Sequence, residues 1–434
     1  MSKSRSFRDA LRFLRGNNLV FASTDLLGNF ARGMVIPYVS FYILALGGDT
    51  TQIGLVNSIS PLAGLIMFPI GGYIADHASR VRLVVLGSCL SAIIVLTDIL
   101  APTWEVMAMA ALVQGFVVFA LPARSALIAD SLPPEDRGRG IAAQNTLSWG
   151  LTVFAPYIGG IVVDTYGPRT GPRSLYGVVM VAYIIAAVIQ TRFLKETTAN
   201  GVDRKRLTLS DLRGVLRDAY KGILPLLGQL PHSLKALAAA IILSYVATAL
   251  VGPFWALYAV ERIGLSLSTW GMILLVELVL KSMMFIPAGI LVDRWGRTVS
   301  AITALSISLV CTPLFVLAPS FVAVLLGRIG IAIAYAIGLP ACSALMADIV
   351  PREVRGRVMA ALGHGGIKIG VTGGGAGGPG VGYITIIPLM LASLAGGYLY
   401  TWHPASPWVG ATIATALAIL LIALFIRDPK QAER

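Results

Sequence analysis

Apolar runs of about 20–28 residues recur along almost the whole chain, separated by short clusters of charge, glycine and proline. A helix rising 1.5 Å per residue crosses a hydrocarbon layer about 30 Å thick in roughly 20 residues. Breaking the chain at the clusters gives twelve such segments, near 18–46, 53–75, 81–101, 105–130, 139–163 and 175–194, then 235–260, 268–292, 298–318, 320–349, 378–400 and 406–426. Only 13% of the 434 residues are charged and 56% are hydrophobic, whereas a soluble domain carries about 25% charge. So much apolar side chain exceeds what one water-soluble core can hide, and the expected solvent is lipid. The fold class expected is therefore an all-α membrane protein with twelve transmembrane helices.

The net charge of +13 does not point to nucleic acid, because the basic residues punctuate the apolar runs instead of forming one patch. Of the 34 Lys and Arg, 26 fall in the N-terminal arm, the even-numbered interhelical loops, the central linker and the tail. The opposite loops hold only Arg169, Arg173 and Arg262. This bias places both termini in the cytoplasm of a multi-pass plasma (inner) membrane protein. The first apolar run follows a basic arm and contains Asp25 and Arg32, so it is expected to be a retained span, not a cleaved signal. Cys89, Cys311 and Cys342 sit in apolar runs without metal spacing, and the four histidines are scattered. No metal and no cofactor is expected.

The two halves repeat. Residues 121–139, LPARSALIADSLPPEDRGR, match 339–357, LPACSALMADIVPREVRGR, at 13 of 19 positions with an offset of 218. A second match, offset 217, lays GGYIADHASR (71–80) on AGILVDRWGR (288–297), pairing Gly72 with Gly289, Asp76 with Asp293 and Arg80 with Arg297. Parallel six-span halves follow, one of the repeat plans of secondary transporters. The division is 1–195, a basic linker at 196–234, and 235–434. Helix-like apolar spacing from Leu209 to Leu227 in the linker fits an amphipathic helix at the headgroups, or simply a tether. Asp130 and Asp348 end the fourth and tenth spans at the depth of the Asp76 and Asp293 motifs. Acid, base and second acid are thus placed to form an inner-gate ion network; interfacial capping is the plainer alternative.

These motifs resemble the major facilitator superfamily over essentially the full chain. The 71–80 segment is similar to that family's loop signature between helices two and three, with Ser79 where glycine is usual; 288–297 is its second-half counterpart. The resemblance implies the major facilitator fold, two pseudo-symmetric six-helix bundles with spans 1, 4, 7 and 10 lining the cavity. It also implies alternating access. Ala155-Pro156-Tyr157-Ile158-Gly159-Gly160 resembles the antiporter signature of drug-exporting members, with Ala155 replacing a glycine. Physically, Pro156 bends a helix and Gly159 and Gly160 admit a close neighbour.

A charge within a span costs about 2.5–3.5 kcal/mol and needs a reason. Asp25 and Arg32 share a face of span 1, and Glu277 and Lys281 stand at i, i+4 in span 8. Arg124 lies in span 4 and Arg328 in span 10. Arg32 is a candidate anchor for cargo, and Asp25 or Glu277 a candidate proton carrier; a self-neutralised Glu277–Lys281 pair is the structural alternative. Gln144, Asn145, Trp149, Phe254 and Tyr335 are candidate cavity residues, or plain packing.

Between Arg357 and Tyr400 the chain is too long for one span. Aligning Gly159-Gly160 with Gly396-Gly397 moves the offset from 218 to 237, an insertion of about 19 residues with a glycine run near 370–382. A flexible loop is expected here, since glycine backbone exposed to lipid leaves polar groups unpaired; an unwound stretch lining the cavity is the alternative. No Gly-Lys-Ser/Thr ending exists, which discounts a nucleotide site. The function expected is proton-coupled export of small amphipathic or drug-like molecules by a monomer, and not an enzyme. A proton-coupled symporter or exchanger for an organic anion, and a non-transporting membrane ligand sensor, are the alternatives.

Overall fold

The computed structural model describes residues 15–197, 214–217, 220–221, 231–350, 355–363, 366–370 and 382–426. The described chain is helical almost throughout, and eleven helical stretches are long and apolar enough to cross a membrane. One of them, Arg137–Phe193, contains two crossings. Gly167 breaks it with φ +81° and ψ 167°, a conformation open to glycine, and beyond the break Gly171 lies against the Cα of Val163. Among the described residues the crossings therefore number twelve, as the apolar runs predict.

In chain order they are Asn17–Ala45 (span 1), Thr50–His77 (span 2), Arg80–Leu100 (span 3), Trp104–Asp130 (span 4) and the two limbs of Arg137–Phe193 (spans 5 and 6). The second half runs His232–Glu261 (span 7), Leu267–Trp295 (span 8), Arg297–Val316 (span 9), Phe321–Ile349 (span 10), Tyr383–Trp402 (span 11) and Ser406–Phe425 (span 12). Their ends carry ordinary local chemistry. Asp49 and Gln52 form a reciprocal capping box at the start of span 2, and Ser79 and Ser266 cap spans 3 and 8. Asn17, at the start of span 1, donates to Lys195 O after span 6 at 2.8 Å. The first half thus begins and ends on one side, as an even number of crossings requires.

Span 11 departs from its sequence boundaries of 378–400. A helix at Arg355–Leu362 supplies its first two turns, and Tyr383–Trp402 continues it. A Cβ on Gly382 would stand 2.4 Å from Gly363 N, so the two pieces abut. The extra residues form an excursion that leaves at Gly363 and returns at Gly382. Of the linker only 214–217 and 220–221 are described, and the expected amphipathic helix over 209–227 otherwise lies outside the described residues. Tyr220 donates to Leu65 O of span 2 and meets Tyr383 edge-on.

Small residues bring the halves together, and they do so toward the end of the molecule opposite the Asp76 and Asp293 motifs. Gly54 of span 2 lies against Ser393 O of span 11, and Thr50 against Thr401 at 2.6 Å. Gly271 of span 8 lies against Pro156 O of span 5. Ser40 of span 1 donates to Pro253 O of span 7 at 2.6 Å. Nearer the motifs, Arg137–Gly150 of span 5 packs on span 1 of its own half. Its Leu147 and Trp149 are exposed. The molecule is joined at one end and parted at the other.

Candidate functional site: ion clusters in a cleft between two halves

The antiporter-like motif forms the joint. A Cβ on Gly159 would collide with Met34 O at 2.1 Å, and one on Gly160 with Leu267 O at 2.4 Å. Gly159 therefore packs span 5 on span 1 of its own half, and Gly160 packs it on span 8 of the other. Tyr38 closes the junction by donating to Pro156 O at 2.5 Å and to Leu267 O at 3.3 Å. Asp164 accepts from the free amides of Leu267 and Ser268 at 3.1 and 2.7 Å, the first turn of span 8. The second half repeats the device. Gly396 lies on Leu250 O of span 7, and Gly397 on Thr50 O of span 2.

At the motif end the expected ion network is smaller than its parts. Arg80 pairs with Asp130 at 2.6 Å, and Arg297 pairs with Asp348. Each pair ties neighbouring spans within one half. Asp76 and Asp293 are exposed and make no ion pair among the described residues, so the three-membered network is corrected to two pairs. The physical reason is direction: each arginine gives its Nη1 to the carboxylate ending span 4 or 10, and Arg80 meets the preceding helix only through the Ala75 carbonyl, at 3.4 Å. Gly72 and Gly289 have open space where a Cβ would stand, so neither is at a close approach.

Within the first half, Asp25 joins three spans. Arg124 of span 4 pairs with Asp25, and Gln144 of span 5 donates to the same oxygen at 3.3 Å. Arg124 also lies over the Phe21 ring, 5.5 Å from its centroid. Arg32 is exposed, donates to Asn29 Oδ1 at 2.7 Å, and lies within electrostatic reach of Asp25. Two guanidinium groups thus share one carboxylate.

The second half has a different cluster at a different place. Glu277 of span 8 is bridged on one oxygen by Lys281 at 2.6 Å and on the other by Arg328 of span 10 at 2.5 Å. The expected self-contained Glu277–Lys281 pair is really a triad, because Arg328 reaches across from span 10. Arg328 is fully buried, its guanidinium 4.6 Å from the centroid of Trp255 and 5.6 Å from that of Trp270. Lys281 lies over Tyr335 at 4.6 Å.

The glycine segment enters this cluster. Residues 366–370 run unwound alongside span 10, with Gly366 against Cys342, Ile369 beside Gly338 and Gly370 against Ile331. Eleven helical residues and four extended ones cover similar lengths, about 16 and 13 Å. The polar backbone is paired: Lys368 N donates to Ser244 Oγ at 3.1 Å, Lys368 O accepts from Thr248 at 3.2 Å, and Gly370 O accepts from Arg328 at 3.2 Å. The expectation of a loop outside the bundle is therefore corrected for 366–370; 371–381 lie outside the described residues. Unwound backbone is tolerated at this depth when protein side chains satisfy it, and spans 7 and 10 supply them. The sequence signal for Lys368 was its lone charge beside a glycine run.

The apolar candidates divide. Trp149 is 57% exposed and Asn145 is exposed, whereas Phe254 is fully buried against Tyr400 and is unavailable to cargo. No group of three or more metal-ligating side chains occurs among the described residues.

The family model described as Major Facilitator Superfamily matches residues 24–228 and 237–434. This chain belongs to the major facilitator superfamily. It is 28% identical over 180 residues to the multi-drug resistance efflux pump PmrA of Streptococcus pneumoniae, covering 39% of this chain and 43% of the pump. The chain thus spans less than half the length of that curated relative. It is 28% identical over 353 residues to the multidrug resistance protein MdtG of Citrobacter koseri, covering 76% of this chain and 81% of that one. Among solved structures, the nucleoside transporter NupG superposes with a TM-score of 0.67 at 13% identity over 96% of this chain and 100% of its own. A bacterial homologue of the human lysosomal transporter Spinster, in an inward-facing and unoccupied conformation, gives 0.66 at 16% over 98% and 100%. These likenesses fix the fold, that of a multi-pass, two-half helical membrane protein.

Proposed function

We propose that this major facilitator exports small amphipathic, drug-like molecules by alternating access, driven by protons entering through Asp25. The observation that carries the reading is the Asp25–Arg124 pair, which links spans 1 and 4 with Gln144 of span 5 inside the cleft. An ionised Asp25 holds Arg124; a protonated one releases it. Binding of a proton and of cargo can therefore compete for the same contact, which is the logic of antiport. One relative named an efflux pump and another named a multidrug resistance protein support the export direction.

The positive-inside bias supports cytoplasmic termini in a plasma membrane, with the parted end facing the cytoplasm. In that setting the exposed Leu147 and Trp149 offer an apolar wall to cargo arriving from the inner leaflet or cytoplasm. The protein works as a monomer, since each half supplies its own ion cluster.

The test is transport by the full chain in phosphatidylcholine liposomes with and without an imposed pH gradient, using the lipophilic cation ethidium and the amphipathic anion 1-pyrenebutyrate as separate probes. The expected result is saturable movement that the gradient accelerates about tenfold or more and that Asp25→Asn makes gradient-independent. Equal rates with and without the gradient in the unaltered protein would remove proton coupling.

A further inference from the structure

The interior charges do not balance. Arg328 and Lys281 share one carboxylate, Glu277, and Lys368 is held beside the same spans by its backbone contacts, with its ammonium over Tyr245. Lys368 has no ion pair among the described residues; its ammonium lies 4.8 Å from the centroid of that ring. Tyr245 and Tyr335 are close enough to interact, and Tyr335 lies under Lys281. One line of groups thus runs from Lys368 through two tyrosines to Lys281, Glu277 and Arg328. Arg328 Nη1 is fully buried without a hydrogen-bond partner, and so are the Nε1 donors of the adjoining Trp255 and Trp270. Every one of these unmet groups is a donor. A region with surplus cations and surplus N–H donors is complementary to an anion.

The excursion delivers Lys368, and the positions it passes have been cleared for it. The 218 offset places Cys342 opposite Arg124, and the contacts of Met34 and Leu250 place Thr248 opposite Arg32. In the second half those positions hold small side chains, and the excursion touches both: Gly366 lies against Cys342, and Thr248 holds Lys368 O. Lys368 is half-buried, less enclosed than Arg328 behind it.

We propose that Lys368, assisted by Lys281, anchors an anionic group on the cargo, a carboxylate, sulfonate or phosphate ester carried by an amphipathic body. This deepens the transport reading and rests on it for the word cargo, but binding is measurable without transport. The probes are 1-pyrenebutyrate and its uncharged relative 1-pyrenebutyramide, titrated against tryptophan fluorescence of the full chain in phosphatidylcholine nanodiscs.

The expected result is saturable binding that favours the carboxylate about tenfold or more, the worth of one charge-assisted hydrogen bond. Lys368→Gln abolishes that preference while amide binding persists, and Lys368→Arg retains it. An unchanged preference in Lys368→Gln overturns the proposal. So does equal loss of both probes in Lys368→Gln and Lys368→Arg, which marks a packing role. Absence of saturable carboxylate binding overturns it as well. Displacement of the carboxylate by phosphatidylglycerol in the nanodisc assigns the site to a lipid headgroup and overturns the cargo assignment. A failure to transport either ethidium or 1-pyrenebutyrate with the carboxylate preference intact strikes the export reading and leaves this binding site standing.

Discussion

In the first half Gly159 rests on Met34 O and Gly160 on Leu267 O; in the second, Gly396 rests on Leu250 O and Gly397 on Thr50 O. Each pair touches its own half with the first glycine and the opposite half with the second. The ion pairs at the motif end correspond as closely, Arg80–Asp130 with Arg297–Asp348. The interior charges share no such correspondence. Asp25 and Arg124 sit on spans 1 and 4, while Glu277 and Arg328 sit on spans 8 and 10. Duplication has preserved the glycine contacts between helices and the ion pairs at the motif end, and has released the interior charges.

The largest expected effect separates the two clusters by burial. Glu277→Gln leaves Arg328 and Lys281 uncompensated in a dry site and should destabilise the fold by about 3–5 kcal/mol. Asp25→Asn, beside an Arg124 side chain that is 32% exposed, should cost well under half of that, because water reaches the orphaned guanidinium. Thermal unfolding of both variants in one detergent checks the ranking, and equal losses would erase the distinction between the halves.

The next effect probes the symmetric joint. Gly160→Ala drives a methyl to 2.4 Å from Leu267 O, and Gly397→Ala drives one to 2.8 Å from Thr50 O. Both should weaken the joined end by about 1–3 kcal/mol, with Gly160→Ala the stronger. Spin labels at Glu105 and Ser320 would report it as a population shift toward longer distances. Unmoved distances in both variants would deny that these glycines hold the halves together.

The smallest effect compares the ion pairs at the motif end, which are partly open to water. Arg80→Gln and Arg297→Gln should each cost no more than about 1 kcal/mol of stability. Their influence on the same spin-label distances should be equal in sign. Opposite signs would show that the two motifs are not equivalent.

The architecture was legible because lipid imposes a length on every crossing, and because LPARSALIAD and LPACSALMAD are visibly one sequence written twice. The joint was legible too, since paired glycines in a span announce a close neighbour. The clusters were legible only as members. That Arg328 would reach Glu277 depends on the rotation of span 10 against span 8, which no spacing within either span encodes. Asp76 and Asp293 misled for a similar reason: nearness in sequence to Arg80 and Arg297 says nothing about which way those guanidinium groups turn. The glycine run misled because its backbone partners, Ser244, Thr248 and Arg328, come from spans 7 and 10, remote in the chain.

Gly363 and Gly382 stand side by side where the excursion departs and returns. A stretch whose ends already touch can be exchanged without moving either helix stub, at the cost of the backbone partners it supplies to Ser244, Thr248 and Arg328. On the proposed reading, such a cassette lets recognition change while the duplicated frame stays in place. A chain spliced from residue 363 to residue 382 would be the ancestral-style frame alone, with an unbroken span 11 and an emptier second half.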